Sequence, residues 1–339
     1  MALELTDLYQ SPAELTQYVR QALADQPQNR FALAAFLPDT QIDDIDFRAS
    51  VGGGGLARTA SFRAYDTESP ISGRQSVAKI QGELPPISVK RRLSEYDRLK
   101  MRKLDAGIQD AIFNDAVELA REIQARAEVA RGELLQTGKV TIAENGLTLT
   151  ADFGRDADLT QTAATKWNAN GDVFDDLDTW RELYSRKGNG NPGTIIVSRQ
   201  IISAVVRNEK VREQVYGASD TSSRIVTMEA LNSVLGALGL PTFSVYEAQV
   251  ANAAGVATPI LNPNKVLFLP DDSLKIGETL WGTTAEALDP KYAIESTEAP
   301  GIVVGNYSDS DPVANWTKAS AIMLPVAPNT NLTLAATVL

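Results

Sequence analysis

The 339-residue chain contains neither cysteine nor histidine. Those two absences remove disulfides, thiolate and imidazole metal ligands, cysteine nucleophiles and every catalytic triad with a histidine base. Most familiar hydrolase and metalloenzyme mechanisms fall with them, and no cofactor or metal is expected. Zero cysteine suits a reducing cytoplasm. Aromatics are only 6% of the chain, and Trp167, Trp180, Trp281 and Trp316 are dispersed, which suits core or interface anchors better than a stacking platform for single strands. No apolar run reaches the roughly 20 residues of a membrane span, and the opening MALELTDLYQSPAEL matches neither a signal peptide nor an anchor. Positive charge is in the minority: 32 basic residues face 43 acidic ones, for a net charge of −11. No long Lys/Arg run offsets this, so a direct grip on nucleic-acid phosphates is disfavoured.

What the chain does have is a 43% hydrophobic content, enough for one large or two ordinary cores, and one long polar helix. Ile108, Ile112, Leu119, Ile123, Ala127, Ala130 and Leu134 form a narrow apolar stripe, which predicts a helix over 105–137. Asp110, Glu118, Arg121, Glu122, Arg126, Glu128 and Arg131 fall on its other faces, expected to be wet. At about 1.5 Å per residue this helix spans on the order of 50 Å, longer than a compact domain needs to cover its own core. It reads as a strut, ended by Gly138 and followed by the strand pair KVTIAENGLTLTADFG.

Ahead of the strut, residues 3–8 and 12–24 read as short helices, the second capped by Ser11 with Pro12 at its first position and Pro27 as its breaker. An apolar stretch over 30–45 leads into two β-prone arms with weak alternation, separated by polar turn residues and by Gly52, Gly53, Gly54 and Gly55. Neither face of this hairpin looks built for a core, so it should project. Arg58, Arg63, Arg74 and Lys79 lie on it, with Lys90, Arg91, Arg92, Arg98, Lys100, Arg102 and Lys103 behind. Such a cluster is either a solvated surface or a cationic extension seeking the acidic surface of a neighbouring copy.

The remainder mixes helix and strand. TIIVSRQII reads as a buried strand, Ser198 to Asn208 and Thr227 to Leu238 as helices, and FSVYEAQV and KVLFLP as strands, with two more in WTKASAIMLPVAPNTNLTLAATVL. Asp175, Asp176 and Asp178 could pair as catalytic carboxylates or hold a divalent cation, yet carboxylates at a helix start more often cap its N–H groups. Asp271 and Asp272 read as a turn. Neither Gly52–Gly55 nor Gly188–Gly193 has the spacing or following helix of a phosphate or dinucleotide loop.

Taken in order, these elements resemble the major capsid proteins of tailed bacteriophages, and within them the lambda-type major capsid protein E family. LQTGKVTI, LTADFGRDADLTQTAATKWN, VLFLPDDSLKIGET and WTKASAIMLPVAPNTNLTLAATVL carry the resemblance. It implies an α+β fold of the Hong Kong ninety-seven type: an N-terminal arm over 1–46, an extended loop over 47–89, and a peripheral domain over 90–193 holding the spine helix. An axial domain over 194–316 and C-terminal strands over 317–339 returning to the peripheral domain complete it. The function implied is noncatalytic self-assembly, as hexamers and pentamers, into an icosahedral head enclosing double-stranded DNA without sequence-specific binding. Scaffold and portal proteins, and a cementing protein in lambda-type relatives, are the implied partners, with assembly in the host cytoplasm and residence in the virion.

The resemblance further implies expansion of a procapsid, with Gly52 to Gly55 and Gly107 as pivots. Arg58, Arg63, Arg74, Lys79, Arg91 and Arg92 become candidates for inter-subunit contact. Some relatives crosslink a loop lysine to an asparagine. Lys79 is the nominee here, but no Asn or Glu partner stands out, so noncovalent locking is expected. The competing readings are an encapsulin-like compartment sharing the fold, a hydrolase using Asp175 and Asp178, and an extracellular lattice or adhesin protein, which the missing export signal disfavours.

Overall fold

The computed structural model describes residues 4–5, 10–25, 31–51, 63, 68, 78–101, 107–217, 225–252, 254–271, 274–295, 298–311 and 313–339. The first third comprises β1 (Glu4–Leu5), α1 (Pro12–Asp25), β2 (Asp39–Gln41), β3 (Asp46–Val51), β4 (Ala78–Glu83), β5 (Pro86–Leu93) and α2 (Glu95–Met101). Next come α3 (Gly107–Thr137), β6 (Lys139–Glu144), β7 (Leu147–Asp152), β8 (Thr160–Thr162), α4 (Val173–Tyr184), β9 (Thr194–Val197), α5 (Arg199–Val205), α6 (Glu209–Tyr216) and α7 (Met228–Ala237). The last third holds β10 (Phe243–Val245), β11 (Gln249–Ala251), β12 (Ala257–Pro259), β13 (Lys265–Leu269), β14 (Glu278–Gly282), α8 (Ala285–Leu288), β15 (Val303–Ser310), β16 (Val313–Val326) and β17 (Leu334–Thr337).

Two sheets organise these elements. One runs β1-β15-β16-β14-β2, with β5 on the opposite side of β16; the other runs β10-β9-β13-β17-β8. The pairs β3–β4, β6–β7 and β11–β12 stand as separate ribbons. Residues 278–326 thus belong largely to the sheet under α3, while Leu334–Thr337 belong to the other.

The spine helix α3 ties both sheets together. Its first half buries Ile112, Leu119 and Ile123 against Leu15 and Val19 of α1 and Ala319, Ala321 and Met323 of β16. Its second half buries Ala130, Leu134 and Leu135 in a core shared with Phe153, Leu267 and Leu324. Each large apolar side chain so buried contributes roughly 1.5–3 kcal/mol. A third cluster, holding Trp167, Trp180, Tyr184 and Phe268, fills the space between the second sheet and helices α4 to α7.

Several expectations change in the structure. Glu4 and Leu5 pair with Ser308 and Tyr307 as a strand instead of starting a helix, because the edge of β15 offers backbone partners that an isolated short helix lacks. TIIVSRQII is a strand only to Val197: Ser198 then caps α5 by accepting from Ile201 N. That helix in turn ends at Val205, where Asn208 caps a second one, α6. FSVYEAQV likewise splits into β10 and β11. At the root of the extended loop, Phe47 and Ala49 are buried alongside Leu84, so one face of this ribbon does enter the core. Gly82 makes room for it, since a Cβ there would lie 2.9 Å from the Phe47 ring.

Candidate assembly surface

The largest revision concerns the spine helix itself. Glu128 and Arg131, expected to face water, are 0% and 5% exposed. Such burial is tolerable only where the charges are paired and hydrogen-bonded, and these are. Glu128 Oε2 meets Arg131 Nη1 at 3.1 Å, while its Oε1 accepts from Leu33 N and from the Tyr246 hydroxyl, each at 2.9 Å. Arg131 Nε donates to Thr279 Oγ1 at 2.8 Å and its Nη2 pairs with Asp39, which also accepts from Trp281 Nε1 at 2.6 Å. One network therefore joins the helix to the arm segment before β2, to β14 and to the chain after β10. Burial, with the neighbouring Glu128 charge, pushes the Tyr246 hydroxyl above its ordinary value.

At the far end of the helix, Gly138 adopts φ +74° and its N–H closes on Leu134 O at 2.8 Å, ending the helix in a left-handed turn. Arg155 then reaches back to the last carbonyls, with Nη1 3.1 Å from Leu135 O and Nη2 2.7 Å from Gln136 O. A cation there satisfies orphan acceptors and opposes the negative end of the helix dipole. Burial pushes its guanidinium down to about 10. Arg155 was missed from the sequence; its signal was an arginine directly after the glycine that closes the strand pair.

Outside the core, β5 pairs with β16 alone among the described residues and so forms a sheet edge. A groove of about 540 Å³ lies beside it, between α3 and the β6–β7 ribbon, with Ile87, Ile142, Leu147 and Met323 among its walls. Arg91 is engaged within the chain: its guanidinium meets Asp115 at 3.0 Å and Glu122 at 3.1 Å, and the hydrogen bond to Asp115 raises its pKa. Arg92 leaves the opposite face and sits over the ring of Trp316. Lys79 is exposed on β4, and Arg63 is an exposed position in the extended loop. Arg58, Arg74, Gly52, Gly53, Gly54, Gly55, Pro27 and Asp272 lie outside the described residues. Gly107 is the first residue of α3.

The carboxylates weighed for catalysis do not converge. Asp172 is the cap of α4, accepting from Asp175 N at 3.3 Å, and Asp175 and Asp176 occupy the first turn. Asp176 accepts from Trp167 Nε1 at 2.8 Å, and Asp178 pairs with Arg181 at 2.6 Å. Burial holds the Asp176 carboxyl above the ordinary carboxylate value. Among the described residues no group of three or more acidic side chains is placed to hold a metal, and no helix is long and apolar enough to cross a membrane.

The family model for the phage major capsid protein E matches residues 11–338. No curated protein matches the chain. Among solved structures, a protein assigned as the capsid protein of a prophage in E. coli CFT073 superposes with a TM-score of 0.66 at 13% identity, covering 100% of both chains. A phage-related protein of Bordetella bronchiseptica RB50 gives 0.58 at 14% identity over 99% of this chain and 97% of its own. The capsid of a native GTA particle gives 0.50 at 12% identity, over 91% and 89%. The fold is the Hong Kong ninety-seven-type capsid fold, and the chain belongs to the phage major capsid protein E family.

Proposed function

We propose that this capsid shell protein tiles an icosahedral head as hexamers and pentamers around packaged double-stranded DNA, in a structural and noncatalytic role. The observation that carries the reading is the family match over residues 11–338, which takes in the spine helix, the root of the extended loop and both sheets. Physical argument supports it. An open sheet edge at β5 among the described residues and an apolar groove beside that edge both gain from partner surface, and a closed shell supplies it repeatedly.

In this reading residues 1–46 form an arm and 47–89 an extended loop lying on neighbours. The peripheral unit is built on 90–193 and the axial unit on 194–316, with 317–339 as the returning strands. Sheet membership cuts across that division: β14 to β16 lie in the sheet under the spine helix, whereas β17 joins β9 and β13 in the other. Gly52 to Gly55 and Gly107 act as pivots during expansion, since glycine accepts backbone angles that other residues resist. The excess negative charge repels phosphates and lets packed DNA slide. Scaffold, portal and cementing proteins complete the particle, which assembles in the host cytoplasm.

Expression of the chain, alone and with a scaffold, followed by electron microscopy tests this. Shells, rings or tubes are expected; strictly monomeric protein under both conditions would overturn it. Nucleic acid inside purified native particles distinguishes a phage head from an encapsulin-like compartment. Particles boiled in denaturant should run as a single monomer band, and a covalent ladder would show that Lys79 or another lysine crosslinks after all.

A further inference from the structure

The exposed face of the six-stranded sheet carries a cluster that the fold itself does not use. Antiparallel register sets Arg92 opposite Trp316 and Lys90 opposite Lys318, so four side chains leave the same face of two neighbouring strands. Like charges directly across a strand pair repel, and only one of the three cations is answered. Lys318 Nζ lies 2.6 Å from Glu286 Oε1, which also accepts from Ser320 at 2.9 Å. Lys90 and Arg92 form no ion pair among the described residues. Their partner is the indole: Lys90 Nζ stands 4.7 Å and the Arg92 guanidinium carbon 5.8 Å from the Trp316 ring centroid. That contact positions both cations without neutralising them.

The adjoining groove, about 390 Å³, is lined by Ser88, Val89, Lys90, Tyr307, Trp316 and Lys318. No carboxylate is among them. Such a surface calls for a ligand that brings negative charge and acceptor oxygens. Duplex DNA fits poorly, because two uncommitted cations neutralise about two phosphates, a salt slope of only about −1.8, against a chain charge of −11.

A second copy carries the matching chemistry. Asp43 and Asp44, on the turn that leads into β3, and Asp46, its first residue, are all exposed, and none is in an ion pair among the described residues. Asp43 accepts from Thr283 Oγ1 at 3.1 Å, and Asp44 accepts from the N–H groups of Ile45 and Asp46 at 2.8 and 3.2 Å, which fixes the turn. The Asp44 carbonyl lies against Gly282, whose partner Ile322 is four residues along β16 from Lys318. That separation is roughly 13 Å at strand rise, so the two patches do not meet within one chain. Distinct complementary patches on one subunit can instead be matched between copies, the turn of one against the face of the next.

We propose that the Lys90–Arg92–Trp316 face receives the acidic Asp43–Asp46 turn of a second copy. The inference rests on the shell-forming reading and adds the identity of one contact. Charge reversal tests it, with assembly read by sedimentation and microscopy and the fold of unassembled subunits checked by circular dichroism. Lys90→Glu with Arg92→Glu, or Asp43→Lys with Asp44→Lys, should each lower the assembled fraction at least tenfold at low salt. Combining the two sets should restore it, and raising salt should weaken assembly of the unmodified chain. Normal assembly of either folded single set, or no recovery in the combined chain, would overturn the proposal. So would normal shells from Lys90→Glu/Arg92→Glu that fail only in retaining DNA, an outcome that assigns the patch to nucleic acid. If the unmodified chain forms no shells at all, the shell reading falls and takes this contact with it; shells from every variant alike remove the contact alone.

Discussion

The Tyr246 hydroxyl donates a 2.9 Å hydrogen bond to Glu128, a carboxylate in the middle of the spine helix that is fully shielded from solvent. Tyr246 follows the edge strand of one sheet, whereas Arg131, the ionic partner of Glu128, bonds Thr279 in the other. The bond therefore fastens one sheet to the helix that carries the other. A hydrogen bond to a charged group contributes about 1.5–3 kcal/mol, so Tyr246→Phe should lower subunit stability by that amount in urea denaturation. Glu128→Ala should cost more, about 3–5 kcal/mol, because it leaves Arg131 buried with less compensation. Wild-type stability in Tyr246→Phe would show that the link is dispensable.

Gly138 and Gly146 separate two effects that a glycine substitution usually mixes. Both have positive φ, +74° and +84°, but a Cβ on Gly138 would stand 2.7 Å from Arg155 Cβ, whereas nothing lies within 4 Å of one on Gly146. Gly146→Ala should show only the backbone cost, of the order of 1 kcal/mol. Gly138→Ala should exceed it by about 1–3 kcal/mol as Arg155 is driven from the helix carbonyls. Thermal melts of the two variants give the comparison, and equal losses would mean that Arg155 moves aside freely.

Asn208 is 1% exposed and uses both ends of its amide. Its Nδ2 donates to Trp167 O at 3.0 Å and Gly171 O at 2.9 Å, while its Oδ1 accepts from Lys210 N at 2.9 Å and Val211 N at 3.2 Å. It thereby caps α6 and ties it to the loop before α4. Loss of a cap costs about 1 kcal/mol, and orphaning buried carbonyls costs about 1–3 more. Asn208→Ala should therefore destabilise by about 2–4 kcal/mol, with Asn208→Asp keeping the cap yet losing the amide donors and falling between. An Asn208→Asp variant as stable as wild type would discount those donors.

The strut, its glycine stop and the β6–β7 ribbon were legible because each rests on local rules: an apolar period, a left-handed residue, alternating strands. The Ser11 cap was legible for the same reason. Glu128, Arg131 and Asn208 were not, because a charged or polar residue is read as wet unless its partners are known, and those partners lie far away in the chain. The limit of β9 was missed since a β-branched run continues past the point where Ser198 turns the backbone into a helix. Trp316 was legible only as a dispersed aromatic; the antiparallel register with β5 is what puts Arg92 over it.

Asp176 offers a test with a defined sign. Its carboxyl accepts from Trp167 Nε1 at 2.8 Å. Burial raises its pKa above the ordinary carboxylate value, the Trp167 hydrogen bond opposes that rise, and the Asp175 and Asp172 charges add to it. A carboxyl whose folded pKa is raised binds protons more readily in the folded than in the unfolded chain over the interval between the two values. Stability therefore declines as pH rises through that interval and levels off once the group is ionised in both states. Asp176→Asn keeps an oxygen for the Trp167 N–H and carries no charge, so it should be more stable than wild type at neutral pH and should lack this contribution to the pH slope. Denaturant midpoints measured from just below the ordinary carboxylate value to neutrality provide the check. If the two proteins hold a constant difference across that range, burial of Asp176 does not perturb its ionisation, and the pairing with Trp167 is simply a helix-start contact.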